Sequence, residues 1–119
     1  SLLVIVSITI YYSFTFFRYG ASWNKLYFYV AILPFLLGYF ALIYKSFGIV
    51  TPDSGDVSKQ IGWFDAYYFS VVTWTTLGYG DFRPSNNATK AFVMIEVLLG
   101  YVYMGVFIGK LFLLGQVKK

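Results

Sequence analysis

The 119-residue chain has no cysteine and no histidine, and only 12% of its residues are charged. The commonest general base, the strongest zinc ligands and all disulfide chemistry are therefore missing. Cysteine usage is accordingly silent on redox compartment. Charge stands at half the ~25% of an ordinary soluble domain, while 59% of residues are hydrophobic. A soluble monomer of this length could not bury so much apolar surface, and the same composition excludes intrinsic disorder. The net charge of +4 comes from scattered rather than clustered lysines and arginines, which reads as a membrane-topology signal and not a nucleic-acid footprint. No basic residue precedes the first apolar run, so no removable signal peptide is expected. Ser1 in place of Met reads as the start of a processed or excised fragment.

What the chain does have is aromatic residues, 13 Phe, 12 Tyr and 3 Trp, and long apolar runs. Leu2–Phe17 is uncharged but spans only about 24 Å as a helix, a little short of the ~30 Å hydrocarbon core. It reads as a clipped spanning helix or an interfacial one, followed by a basic, aromatic loop through residue 25. Leu26–Tyr44 is uncharged and about 28 Å long, with Pro34 inside it, which a spanning helix tolerates. Residues 46–60 are polar and turn-rich. A third run, Ala88–Leu114, follows Ser85 and Asn86, residue types that cap helices.

Between the loop and this last run lies Ile61–Asp81. It is aromatic and apolar up to Thr75, then breaks into Thr75-Thr76-Leu77-Gly78-Tyr79-Gly80-Asp81. Roughly a dozen helical residues cannot cross a bilayer, so a re-entrant segment is expected. Irregular backbone at membrane depth needs protein or water around it, which implies a cavity. With one crossing on each side of this segment, Arg18, Lys25, Lys110, Lys118 and Lys119 share a face that sums to +5. The opposite face sums to zero, and the basic face is expected to be cytoplasmic.

The heptapeptide closely resembles the filter signature of tetrameric potassium channels, TVGYG. From Leu26 onward the chain resembles the bacterial two-transmembrane type. Gly100 stands twenty residues after Gly80, the spacing at which that family carries an inner-helix glycine. The resemblance implies an all-α membrane fold and a homotetrameric pore. Residues 1–25 hold an extra apolar helix and basic loop. Residues 26–119 form the pore domain, with an outer helix (26–45), extracellular loop (46–60), pore helix (61–75), filter (76–81) and inner helix (86–115). A dehydrated K+ ion must be offered oxygens in place of its water shell. Successive carbonyls face one axis only if alternate residues take conformations costly to anything but glycine, and Gly78 and Gly80 supply those positions. K+ is expected at the rings of Thr76, Leu77, Gly78 and Tyr79, with Gly80 closing the filter. Each chain contributes one quarter of each ring.

Filter support is assigned to Thr75, Asp81, Trp74 and Tyr68, whose hydroxyl could bond Asp81. Trp63, Phe64, Tyr67, Tyr68, Phe69 and Trp74 are read as an aromatic collar. The chain departs from the family pattern in having Tyr68-Phe69 for two tryptophans, Val72 for a glutamate, Trp74 for a small residue and Leu77 for valine. Gly100 is a candidate gating hinge, with close helix packing as the alternative. Gly105 and Gly109 fit small-residue contact between helices. Tyr101, Met104 and Ile108 share a helical face that by resemblance lines a cavity, with Phe112 as a constriction. Glu96 reads as the one ionisable residue deep in the membrane. A hydrogen bond to Ser70 or Thr73 is expected of it, with a cavity-facing ion site as the other reading. Asn87-Ala88-Thr89 matches a glycosylation sequon but reads as a helix cap.

The expected activity is passive K+ conduction in a multi-pass cell-membrane protein surrounded by lipid, without catalysis, cofactor or nucleic-acid partner. Alternatives are a non-selective cation channel on the same scaffold and an accessory membrane subunit. No run of arginines marks a voltage sensor, and a cytoplasmic regulatory domain, if ligand gating applies, is expected outside this sequence.

Overall fold

A computed structural model describes residues 2–18, 22–51 and 61–117. The element order is α1 (Leu2–Arg18), α2 (Trp23–Phe47), β1 (Ile49–Val50), α3 (Trp63–Trp74), β2 (Arg83–Pro84) and α4 (Asn87–Val117). The chain is thus an all-α membrane protein in which α2 and α4, 25 and 31 residues long, are long and apolar enough to cross a bilayer. Pro34 lies inside α2 without ending it. The 17 residues of α1 rise about 26 Å. Trp23, Asn24 and Lys25, read from sequence as loop, belong to α2. Most of the polar loop, residues 52–60, lies outside the described residues.

The chain forms two compact units, one of residues 1–36 with 101–119 and one of residues 37–100. In the first, Tyr29 and Tyr103 stack at 4.1 Å between ring centroids, and each phenol donates to the other residue's backbone carbonyl. Leu26 and Leu114 pack nearby with Phe107 and Leu113. Lys110, counted from sequence among the basic residues of the inner face, is fully buried here, its ammonium 3.5 Å from the centre of the Tyr29 ring. Its long stem carries the charge onto an aromatic face instead of out to water. Glu96 is therefore not the one ionisable residue buried along a spanning helix.

In the second unit a short antiparallel pair, Ile49↔Pro84 and Val50↔Arg83, adds a two-stranded ribbon absent from the sequence reading. Two-residue strands carry no periodicity to detect. The ribbon stitches the end of α2 to the start of α4. Ser85 Oγ donates to Gly48 O at 2.7 Å, and Asn86 Nδ2 donates to Phe47 O at 2.7 Å. Asn86 Oδ1 accepts the Thr89 N–H at 2.9 Å, which makes Asn86 the N-cap of α4. Thr89 is fully buried and its hydroxyl reaches Gly48 O at 3.1 Å. The sequon's threonine is thus committed to the cap.

Candidate functional site

The site is built on α3. Its 12 residues rise about 18 Å, far short of a bilayer. Asp65 sits in the first turn, where a carboxylate suits the helix dipole. At that end the Lys45 ammonium donates to Ile61 O at 3.1 Å and lies 5.1 Å from the Trp63 ring centre. Ala66, Phe69, Ser70, Val72, Thr73 and Trp74 form the buried face. Phe69 meets the Tyr44 ring edge-on at 4.8 Å. Of the six residues of the expected aromatic collar, the single chain itself buries two. Trp63, Phe64 and Tyr67 are exposed, Tyr68 is half-buried, and Phe69 and Trp74 point inward.

The chain leaves α3 in a defined way. Thr75 Oγ1 donates to Val71 O at 2.8 Å, and the Thr76 N–H donates to Thr73 O at 3.0 Å. Val72 O then accepts two amides, Leu77 N at 3.0 Å and Gly78 N at 3.4 Å. Amides drawn back to the helix end leave the carbonyls of this stretch free to face the other way. Backbone φ is +57° at Thr76, +54° at Gly78 and +79° at Gly80, with Leu77 and Tyr79 on the ordinary negative side. Left-handed geometry thus recurs at every second residue through the filter motif. Glycine propensity alone predicts it at Gly78 and Gly80. Thr76 is the addition, and a β-branched residue at positive φ is a true outlier, costing of order 1–3 kcal/mol. Such strain concentrates at functional sites, and here it starts the alternation.

Beyond the filter, the Tyr68 phenol is hydrogen-bonded to the Asp81 carboxylate, which holds its pKa above the ordinary 10.0. Phe82 N donates to Asp81 Oδ1 at 3.1 Å, and the Phe82 ring stands edge-on to Tyr68 at 6.0 Å. Behind the filter, Trp74 is buried, and Gly100 presses on it so closely that a Cβ there would lie 2.8 Å from Trp74 O. At Gly100 the structure therefore shows close packing. Leu77 and Tyr79 are 56% and 68% exposed, so this chain alone leaves one face of the filter open.

Glu96 is fully buried and lies among α2, α3 and α4. The Tyr44 hydroxyl donates to its Oε2, and Ser70 Oγ lies 2.6 Å from its Oε1. Of the two pore-helix hydroxyls considered from sequence, Ser70 is the one in contact. Tyr44, on a different helix, could not be located from spacing. In the other unit, Tyr101, Met104, Ile108 and Phe112 are 64%, 50%, 59% and 68% exposed and run along one face of α4.

The model of a family described as "Ion channel" matches residues 31–115. The chain belongs to that ion-channel family. It is a transport family and not an enzyme class. The chain is 37% identical over 67 residues to two-pore potassium channel 4 of Arabidopsis thaliana, a match covering 53% of this chain and 24% of that protein. It is 35% identical over 81 residues to two pore potassium channel a of Oryza sativa subsp. japonica, covering 63% and 23% respectively. With the potassium channel protein kcv of Paramecium bursaria Chlorella virus 1 it shares 31% identity over 72 residues, covering 54% of this ion channel and 71% of the viral one. The chain spans about a quarter or less of the length of the plant relatives. No solved structure matches.

Proposed function

We propose that the chain is a potassium-selective pore subunit, four copies of which surround one conduction axis in a cell membrane. The observation that carries this reading is the alternation of backbone handedness at Thr76, Gly78 and Gly80. An ion sheds its water only if equivalent oxygens replace it. Carbonyls of Thr76, Leu77, Gly78 and Tyr79, with the Thr76 hydroxyl, serve as those oxygens, and Gly80 turns the chain away at the outer mouth. K+ is the permeant substrate, and no resident cofactor takes part. Fourfold cyclic symmetry closes each ring and gives the exposed faces of Leu77 and Tyr79 a neighbour. Potassium-channel relatives from plants and a virus support the ion's identity.

Thr75, Trp74, Tyr68 and Asp81 hold the filter from behind and above. The C-terminal end of α3 directs its partial negative charge toward a cation held at the filter's inner end. Tyr101, Met104 and Ile108 line the inner passage, and Phe112 narrows it. Gly100 lets α4 move as a gate while keeping its contact with Trp74. The chain crosses the bilayer with α2 and α4, lipid covering their outward sides. Arg18 and Lys25 face the cytoplasm. That tally no longer includes Lys110, which is buried. The reading is tested by reconstituting purified protein in liposomes. K+-driven flux from an assembly with the native mass of four chains supports it. A monomer, or a tetramer that passes nothing, overturns it and favours an accessory subunit.

A further inference from the structure

The hydrogen-bond network around Glu96 contains more contacts than its hydroxyls can supply with protons. Ser70 Oγ lies 3.1 Å from Leu37 O and 2.6 Å from Glu96 Oε1, and the Tyr44 hydroxyl contacts Glu96 Oε2. That makes three oxygen–oxygen contacts. Tyr44 and Ser70 each bring one proton, and a backbone carbonyl brings none. With an ionised carboxylate, either the 3.1 Å or the 2.6 Å contact would set two lone pairs against each other. We propose that Glu96 is a neutral carboxylic acid whose own proton completes this network, making it a positioning residue that ties α3 to both α2 and α4.

The proton assignment is then complete. Glu96 Oε1–H donates to Ser70 Oγ, Ser70 donates to Leu37 O, and Tyr44 donates to Glu96 Oε2. Every donor has one acceptor, and among the described residues no buried side-chain polar atom lacks a partner. The surroundings agree. Glu96, Ser70 and Tyr44 are each fully buried. The groups that contact the carboxyl are Ser70 from α3 and Tyr44 from α2, neither of them a cation. An ionised carboxylate without a cation at this depth would carry a desolvation penalty of several kcal/mol. Buried acids in that position take up a proton instead. Glu96 also lies one helical turn before Gly100, where α4 meets Trp74 at the end of α3. The acid and the glycine thus fix the pore helix at two successive turns. Its consequence for permeation rests on the channel reading, but the protonation state does not.

The decisive experiment is infrared difference spectroscopy of the membrane-reconstituted protein at neutral pH, comparing wild type with Glu96→Gln. The expected result is a carbonyl band of a protonated carboxylic acid, present in wild type and missing from the variant. Tyr44→Phe should shift that band to higher frequency, because the acid's carbonyl loses its donor. Glu96→Gln should retain assembly within about twofold, since the amide N–H replaces the acid O–H toward Ser70 while the amide oxygen still accepts from Tyr44. Glu96→Ala should lose roughly tenfold in assembly per chain, by leaving buried hydroxyls unpaired. A carboxylate band in place of the acid band overturns the proposal. So does a Gln variant as impaired as Ala. Neither readout requires ion permeation, so failure here is distinguishable from failure of the channel assignment.

Discussion

Gly100→Ala separates two roles for one residue. The new Cβ would sit 2.8 Å from Trp74 O, 3.6 Å from Trp74 C and 3.5 Å from Trp74 Cδ2. The nearest atom is backbone at the end of α3, so no side-chain rotation relieves the clash. Overpacking of this kind costs about 1–3 kcal/mol. Replacing a mid-helix glycine with alanine returns about 0.5–1 kcal/mol. The net expectation is a loss of about 1 kcal/mol per chain, or about 4 kcal/mol over the proposed tetramer, taking its four sites as additive. Thermal dissociation of the purified assembly, followed by native gel or native mass, should show it at a lower temperature. Because Trp74 leads directly into the filter, K+ over Na+ selectivity in liposomes should fall in the same variant. An alanine variant that dissociates at a higher temperature than wild type would refute this reasoning. That outcome would mean the helix gains the propensity of alanine without meeting Trp74.

Gly78→Ala places a Cβ at φ +54° and should cost roughly 1–2 kcal/mol per chain, abolishing flux in the liposome assay while leaving membrane insertion intact. Tyr68→Phe removes the bond to Asp81 and should lower K+ over Na+ selectivity. Because the Tyr68 pKa is raised above the ordinary 10.0, the support it gives is complete below about pH 10 and is lost as pH rises through the higher folded value. A pH series of reversal potentials should therefore show an alkaline step in wild type that Tyr68→Phe lacks. Tyr29→Leu removes the ring beneath the Lys110 ammonium and should destabilise by about 2 kcal/mol, with a smaller loss in a Lys110→Met background, as a double-mutant cycle by thermal unfolding would reveal. Asn86→Ala removes the cap of α4 and its tie to Phe47, and should cost about 1 kcal/mol in the same unfolding assay.

The long helices and the short helix before the Gly-rich motif are legible from the residues because each leaves a local mark. Uninterrupted apolar runs give α2 and α4, and a dozen aromatic and apolar residues ending in Thr-Thr-Leu-Gly-Tyr-Gly-Asp mark a helix too short to cross. What escaped depends on pairing across the chain. Tyr44 meets Glu96 across 52 residues, and Tyr29 meets Tyr103 across 74. No spacing rule links such positions. Lys110 looked like an inner-face charge because a lysine near a helix end usually snorkels to water, whereas here an aromatic face receives it. Thr76 escaped for the opposite reason. Propensity assigns positive φ to glycine, yet the amides drawn to Val72 O and the regular alternation override propensity at that residue.

The central claim is that the carbonyls between Thr76 and Gly80 select potassium. It is tested most directly by the reversal potential of the purified protein in liposomes, with K+ and Na+ in opposed tenfold gradients. A K+-selective filter predicts a potential approaching the K+ equilibrium value of about 59 mV, with the sign set by the K+ gradient. A potential near zero would contradict it and leave a non-selective cation pore on the same fold.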